Sequence, residues 1–143
     1  MQDLEISKKL LYDKELTLVI AKNGEVLFQT ASHRISGFIR AIDTLGIQLK
    51  DASVADRVAG KALALLCVYA EIREVYAEVL SKKARALFKE NKVACQWMQL
   101  VDNVLDLSKS DVCPFEKLAD GMFGPKDSYD VFKALLEKMK RCE

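Results

Sequence analysis

The stretch that decides the fold reads Ser53-Val-Ala-Asp-Arg-Val-Ala-Gly-Lys-Ala-Leu-Ala-Leu-Leu-Cys-Val-Tyr-Ala-Glu71. From Ala62 to Ala70 it carries nine apolar residues in a row. A helix that is apolar all round must be buried all round. Ser53 and Asp56 have the spacing of a capping box, which begins a helix. We therefore predict one buried helix from Ser53 to Glu71, with its polar groups and a candidate site at the amino-terminal end.

A β-hairpin precedes this stretch. Residues 16–21 and 26–30 are rich in β-branched and large apolar side chains, and Asn23-Gly24 lies between them. Asn-Gly suits the two positive-φ positions of a type I′ turn, so we predict an antiparallel hairpin here.

The remaining elements follow from periodicity and helix stop signals. We predict helices over 3–14, 35–45 (ended by Gly46), 82–91 (capped by Ser81) and 113–120. A final helix follows Asp127 or Ser128, and strands cover 74–80 and 93–101. Strands that are joined by helices should be parallel. The fold class is therefore α/β: a single three-layer domain over 1–143, in which a mixed sheet of four or five strands carries helices on both faces.

Size and charge exclude several classes of protein. The chain has 143 residues and a net charge of +1, so no global field draws it to nucleic acid or to a membrane surface. The longest apolar run is too short to span a bilayer, and the amino terminus lacks the pattern of a signal peptide. We expect a cytoplasmic protein in which the four cysteines are free thiols.

Three segments resemble a small prokaryotic family of unknown function that is assigned the cytidine-deaminase-like fold. They are the Asn-Gly hairpin, the stretch Ala55-Asp-Arg-Val-Ala-Gly-Lys-Ala62 and the segment Cys113-Pro-Phe-Glu116. The resemblance covers most of the chain up to about residue 120. It implies a deaminase-like arrangement of the mixed sheet, and it implies no particular reaction.

A zinc centre is not expected. A zinc deaminase needs a His or Cys with a Glu at one helix start, and Pro-Cys-x-x-Cys at the next. The predicted helix starts at Ser53 and Ser81 carry neither pattern, and His33 is the single histidine. A tetrahedral zinc site needs three or four nitrogen or sulfur ligands. We expect no metal and no other cofactor.

Cys113 and Glu116 form the remaining constellation. Proline favours the first helical position, so Pro114 places Cys113 at the N-cap, where the helix dipole lowers a thiol pKa. Glu116 then falls at the third position and completes a capping box in form. Cys113 is either a nucleophile or a tolerated structural cap.

Lys61 interrupts an otherwise apolar helix. Its amine could reach solvent, meet Cys113 or bind a ligand anion. Asp56 is either the acid of the capping box or a group that orients a ligand, and Arg57 shares a helix face with Lys61. Ser53, Arg57, Ser81 and Glu116 complete the candidate ligand-binding set, although Ser81 also has a purely structural interpretation as a cap.

Three functions remain open. The first is a metal-free enzyme with Cys113 as nucleophile, assisted by Lys61 and Asp56, acting on a small, nucleotide-like substrate. The second is a non-catalytic small-molecule-binding or regulatory module on a deaminase-like scaffold, with a pocket for a nucleotide-like or other anionic small molecule. The third, a nucleic-acid-binding protein, would use the basic residues of 82–92, but this run lacks interleaved aromatic residues and we expect no nucleic-acid partner. A homodimer stays open.

Overall fold

The stretch from Ser53 to Glu71 forms a strand followed by a helix, not one helix. The computed structural model describes residues 2–32, 35–104, 114–122 and 124–141. Strand β3 covers Ser53–Ala59, and the helix that follows covers Lys61–Tyr69. The apolar run is buried as predicted, from Ala62 through Cys67. The predicted helix start at Ser53 is wrong because tertiary pairing overrides the local signal: β3 lies between two strands that bond to it on both sides.

The two residues of the predicted capping box have other partners. The Ser53 hydroxyl donates to Glu74 Oε1 at 2.7 Å. The Asp56 carboxylate accepts from the backbone N–H of Val58 at 3.1 Å. Since Arg57 lies in β3, it cannot share a helix face with Lys61, and that prediction is also wrong.

The sheet has five strands and is mixed, which confirms the α/β class. The other elements of the chain are α1 (Asp3–Asp13), β1 (Leu18–Lys22), β2 (Glu25–Thr30), α2 (Ser36–Leu45), a 3₁₀ turn (Gly46–Leu49), α3 (Lys61–Tyr69), β4 (Glu74–Ser81), α4 (Lys82–Glu90), β5 (Ala94–Val101), α5 (Pro114–Ala119) and α6 (Ser128–Arg141). The strand order is β2-β1-β3-β4-β5. Strand β1 is antiparallel to β2 and β3, whereas β3, β4 and β5 are parallel.

The hairpin turn is as predicted. Asn23 and Gly24 have φ values of 53° and 81°, the positive values that a type I′ turn requires. Their backbone N–H groups both donate to the carboxylate of Asp3, at 2.9 and 2.8 Å. The first turn of α1 is therefore tied to the hairpin.

Helices lie on both faces of the sheet. Helix α1 covers one face, where Leu4 and Leu11 pack on Val19, Ala55 and Tyr76. Helices α2 to α6 share the main core on the other face. Over the described residues, the structure has no helix whose length and apolar character would let it cross a membrane.

Candidate functional site

The amino terminus of α3 is capped by a side chain from another helix. Glu116 lies in α5, and its carboxylate accepts from the backbone N–H groups of Lys61 at 3.0 Å and Ala62 at 2.9 Å. Free N–H groups at a helix start favour an anion, and here the protein supplies one itself. The capping box that was predicted for Glu116 with Cys113 lies outside the described residues, and in the structure Glu116 caps α3.

Gly60 makes room for this carboxylate. It is the residue before α3, with φ −103° and ψ −173°, a conformation open to any residue. A Cβ added at position 60 would overlap both carboxylate oxygens of Glu116. Glycine is therefore required by space and not by backbone conformation. The carboxyl is almost completely buried, and this burial raises the pKa of Glu116 against the opposing effect of the two N–H groups.

A groove opens beside this cap, between α3, α4 and the turn after α5. Its volume is about 640 Å³. Apolar side chains and four charged residues share its walls: Leu65, Ala86, Leu87, Met122, Lys61, Lys83, Glu90 and Asp120. Four of these residues are spaced so that they share one face of α4: Lys83, Ala86, Leu87 and Glu90. This spacing is the sequence signal for the groove that sequence reasoning missed.

Lys61 has a defined position in the groove. Its Nζ donates to the Met122 carbonyl oxygen at 3.1 Å. The other groove lysine, Lys83, forms an ion pair with Asp120 at 2.8 Å. Lys61 thus has a carbonyl oxygen rather than a carboxylate as its hydrogen-bond acceptor, and an ammonium has three protons to donate.

Asp56 is half-buried on the α3 side of the sheet. Val54, two residues earlier on the same side of the strand, belongs to the main core. On this side the negative charge of Asp56 raises the pKa of Cys67 in α3. Burial raises the pKa of Asp56 to about 7, although the backbone N–H groups of Val58 and Arg57 lower it in part. Asp56 is therefore poised to exchange a proton near neutral pH.

The other predicted residues have structural contacts. Ser81 Oγ accepts from Ala84 N at 3.1 Å, so Ser81 caps α4 as predicted. Arg57 lies on the opposite face, where it donates to the carbonyl oxygens of Leu16 and Leu11 at 2.9 and 3.0 Å. Ser53 is buried at the start of β3, whereas Lys61 follows the end of that strand. The structure thus brings Lys61 and Glu116 together and holds Arg57 and Ser53 elsewhere.

Cys113, the predicted nucleophile, lies outside the described residues, as do His33 and Cys142. Cys67 is fully buried, and burial raises its pKa, so it is shielded as predicted. Among the described residues, no three His, Cys, Asp or Glu side chains come together in a way that could hold a metal ion.

Two comparisons with known proteins bear on this chain. The family described as TM1506, domain of unknown function (DUF1893), matches residues 6–138. The crystal structure of a DUF1893 family protein (TM1506) from Thermotoga maritima is similar, with a TM-score of 0.83 and 23% identity. The alignment covers 92% of this chain and 88% of that one. No curated protein matches the sequence. At this identity the structural likeness shows the fold alone.

The first prediction concerns the cap. Gly60→Ala should destabilise the protein by about 2 kcal/mol, because the new Cβ displaces the carboxylate. Glu116→Ala should cost a similar amount, because two N–H groups lose their acceptor. The double variant should cost clearly less than the sum, because both changes break one contact. Urea denaturation of the four proteins measures this.

Gly124→Ala is the matched control for that cycle. A Cβ at position 124 meets nothing within 4 Å, so this variant should unfold like the wild type. Strictly additive effects of Gly60→Ala and Glu116→Ala would show that the two residues are independent.

The second prediction concerns pH. The folded pKa of Asp56, about 7, is above its ordinary value of 3.8. The folded state therefore holds a proton that the unfolded state releases, and Asp56 lowers stability as pH rises through this window. Asp56→Asn should be more stable than the wild type at pH 8 by on the order of 2 kcal/mol, and this advantage should disappear near pH 4. Denaturation of both proteins across this pH range measures the difference in their stability. A difference that does not change with pH would contradict the prediction.

Proposed function

The chain belongs to the TM1506 family, a domain of unknown function (DUF1893), and we propose that it binds a small anionic, nucleotide-like ligand in the groove beside α3. The observation that carries this proposal is the Lys61 ammonium, which a backbone carbonyl holds at the edge of an apolar wall. The volume of about 640 Å³ is in the range of small-molecule sites.

The charges in the groove favour one orientation of the ligand. Asp120 is already paired with Lys83, and Glu90 lies farther along α4. An anionic group would avoid these carboxylates and meet Lys61, whose remaining protons can donate to it. A ring that stacks on Leu65 and Leu87 could direct an amino group toward Glu90. A nucleotide combines an anionic group, a flat ring and an amino group.

The scaffold that we propose for this site is cytidine-deaminase-like. The order of hairpin, helix, strand, helix and strand in the chain supports it. Because β3 is a strand, the helices to compare with a zinc deaminase are α2 and α3, not helices that begin at Ser53 and Ser81. The chain reads His33-Arg-Ile35 before α2, without the Glu of the zinc pattern, and Gly60-Lys-Ala62 at α3, without Pro-Cys-x-x-Cys. A zinc-free protein stays a prediction, which metal analysis of the purified protein can decide.

A thiol enzyme is the second candidate function, and Asp56 is the observation that favours it. A carboxyl whose pKa is about 7 can act as a general acid or base at neutral pH. In this proposal Cys113, which precedes Pro114 of α5 in the chain, is the nucleophile. Lys61 would stabilise the negative charge that develops on the substrate.

The third prediction tests the groove with adenosine monophosphate as probe and adenosine as its uncharged counterpart. Wild-type protein should bind the monophosphate at least about tenfold more tightly than adenosine, because only the former offers an anion to Lys61. Lys61→Met should remove this preference and leave folding intact or slightly improved. Calorimetric titration measures both affinities.

Lys82→Met is the matched control, because Lys82 is also the first residue of its helix. Its Nζ pairs with Asp102 at 2.9 Å, and Lys82 does not line the groove. The control should bind both probes like the wild type. Equal binding of the monophosphate by wild type and Lys61→Met would eliminate Lys61 as the anion contact.

The fourth prediction separates the enzyme from the binding module. If Cys113 is the nucleophile, its thiolate persists at lower pH than that of an ordinary cysteine. Native Cys113 should therefore alkylate faster than Cys142 at pH 6, as measured by mass spectrometry of both peptides. Equal rates at this pH would reject the thiol enzyme and leave the binding module.

A further inference from the structure

We propose that β5 pairs with β5 of a second copy of this chain, antiparallel and about a twofold axis at Trp97. Strand β5 is the last strand in the sheet order, so one side of it carries no strand of the described chain. It contains eight residues, none of them charged. Edge strands of monomeric proteins are normally protected by charge, proline or a bulge, and this strand has none of these.

The exposed side chains of β5 fit a contact surface. Met98 is 73% exposed and Trp97 is 39% exposed, which places two large apolar groups in solvent at the centre of the strand. Aromatic and Met side chains are enriched in protein interfaces. Trp97 lies on the α4 side of the sheet, where the Arg85 guanidinium is 5.7 Å from its ring centre.

Backbone geometry limits the possible registers. The N–H of Ala94 donates to the Arg73 carbonyl oxygen, so the backbone groups of Ala94 point toward β4. Successive residues of a strand alternate, and the outward groups therefore belong to Cys95, Trp97, Gln99 and Val101. An antiparallel partner can bond only in registers that place these residues opposite one another. Trp97 opposite Trp97 is one such register, and it places Cys95 opposite Gln99.

The charges beside β5 favour this register among those that the backbone allows. When Trp97 faces Trp97, the turn that holds Lys92 in each copy comes beside Asp102 of the other, and both residues are exposed. Asp102 already pairs with Lys82 of its own copy at 2.9 Å, so Lys92 would join an existing ion pair at each end of the paired strands. The opposing effect comes from Arg85 and Lys89 on α4, which lie on the same side of the sheet as Trp97 and carry like charges in both copies. Added salt should weaken this repulsion.

The experiment measures the oligomeric state of the full chain by sedimentation velocity as a function of concentration. Wild-type protein should form a dimer. Gln99→Pro removes an N–H that points away from β4, so it should leave the monomer folded and raise the dimer dissociation constant at least about tenfold.

A charge exchange tests the register independently. Lys92→Glu should raise the dissociation constant, because it exchanges the charge of Lys92 for a carboxylate beside Asp102 of the other copy. Lys50→Glu makes the same charge change at an exposed position outside β5 and should have no effect. A monomer at all concentrations would overturn the proposal and leave this edge to a different extended chain. A dimer that Gln99→Pro does not weaken would overturn it as well, because the contact would then lie elsewhere.

Discussion

The contact between the Glu116 carboxylate and the start of α3 holds α5 against the helix at the centre of the main core. Helix α3 is the most buried helix of the fold, and its first N–H groups face the end of the sheet where α5 lies. A buried helix end without acceptors would be costly. Glu116 supplies both acceptors, and Gly60 supplies the space that its carboxylate occupies. The position of α5, and of the groove beside it, depends on this contact.

This cap also shapes the electrostatics of the candidate site. The amino terminus of a buried helix commonly binds a ligand anion, but in α3 two of its N–H groups are already satisfied. For the anionic ligand that we propose in the neighbouring groove, recognition therefore falls to a side chain. Lys61 is suited to this role because its backbone N–H contributes to the cap while its side chain extends to the Met122 carbonyl. The same residue thus links the structural contact to the site.

Burial acts against the charged form of two carboxyl groups on the α3 side of the sheet. Burial raises the pKa of both Asp56 and Glu116, because the interior favours the protonated forms. For Glu116 the two N–H contacts offset part of this cost. Asp56 accepts from the backbone of its own strand, and no cation is among the groups that shift its pKa. A carboxyl with a raised pKa is often found at functional positions, which is why Asp56 stays a candidate residue although it does not line the groove.

The elements that could be predicted from the sequence are those that depend on local chemistry. Asn23-Gly24 determines its turn because few residues accept two consecutive positive φ values. The run from Ala62 to Ala70 predicts burial because apolar surface has no other favourable environment, and Ser81 predicts a helix start because its hydroxyl reaches the third N–H after it. Lys61 was selected by the same reasoning, as a cation in an apolar helix, and its role in a site stays a prediction.

Only the tertiary structure decided the state of Ser53–Ala59 and the partner of Glu116. The first segment has a capping-box pattern and can form a helix locally, but as a strand it bonds to β1 and β4, which are distant in the chain. Glu116 could close a box in its own helix, but the N–H groups of Lys61 and Ala62, more than fifty residues away, are the ones within its reach. Both outcomes depend on hydrogen bonds between segments far apart in sequence, and local spacing carries no information about such bonds.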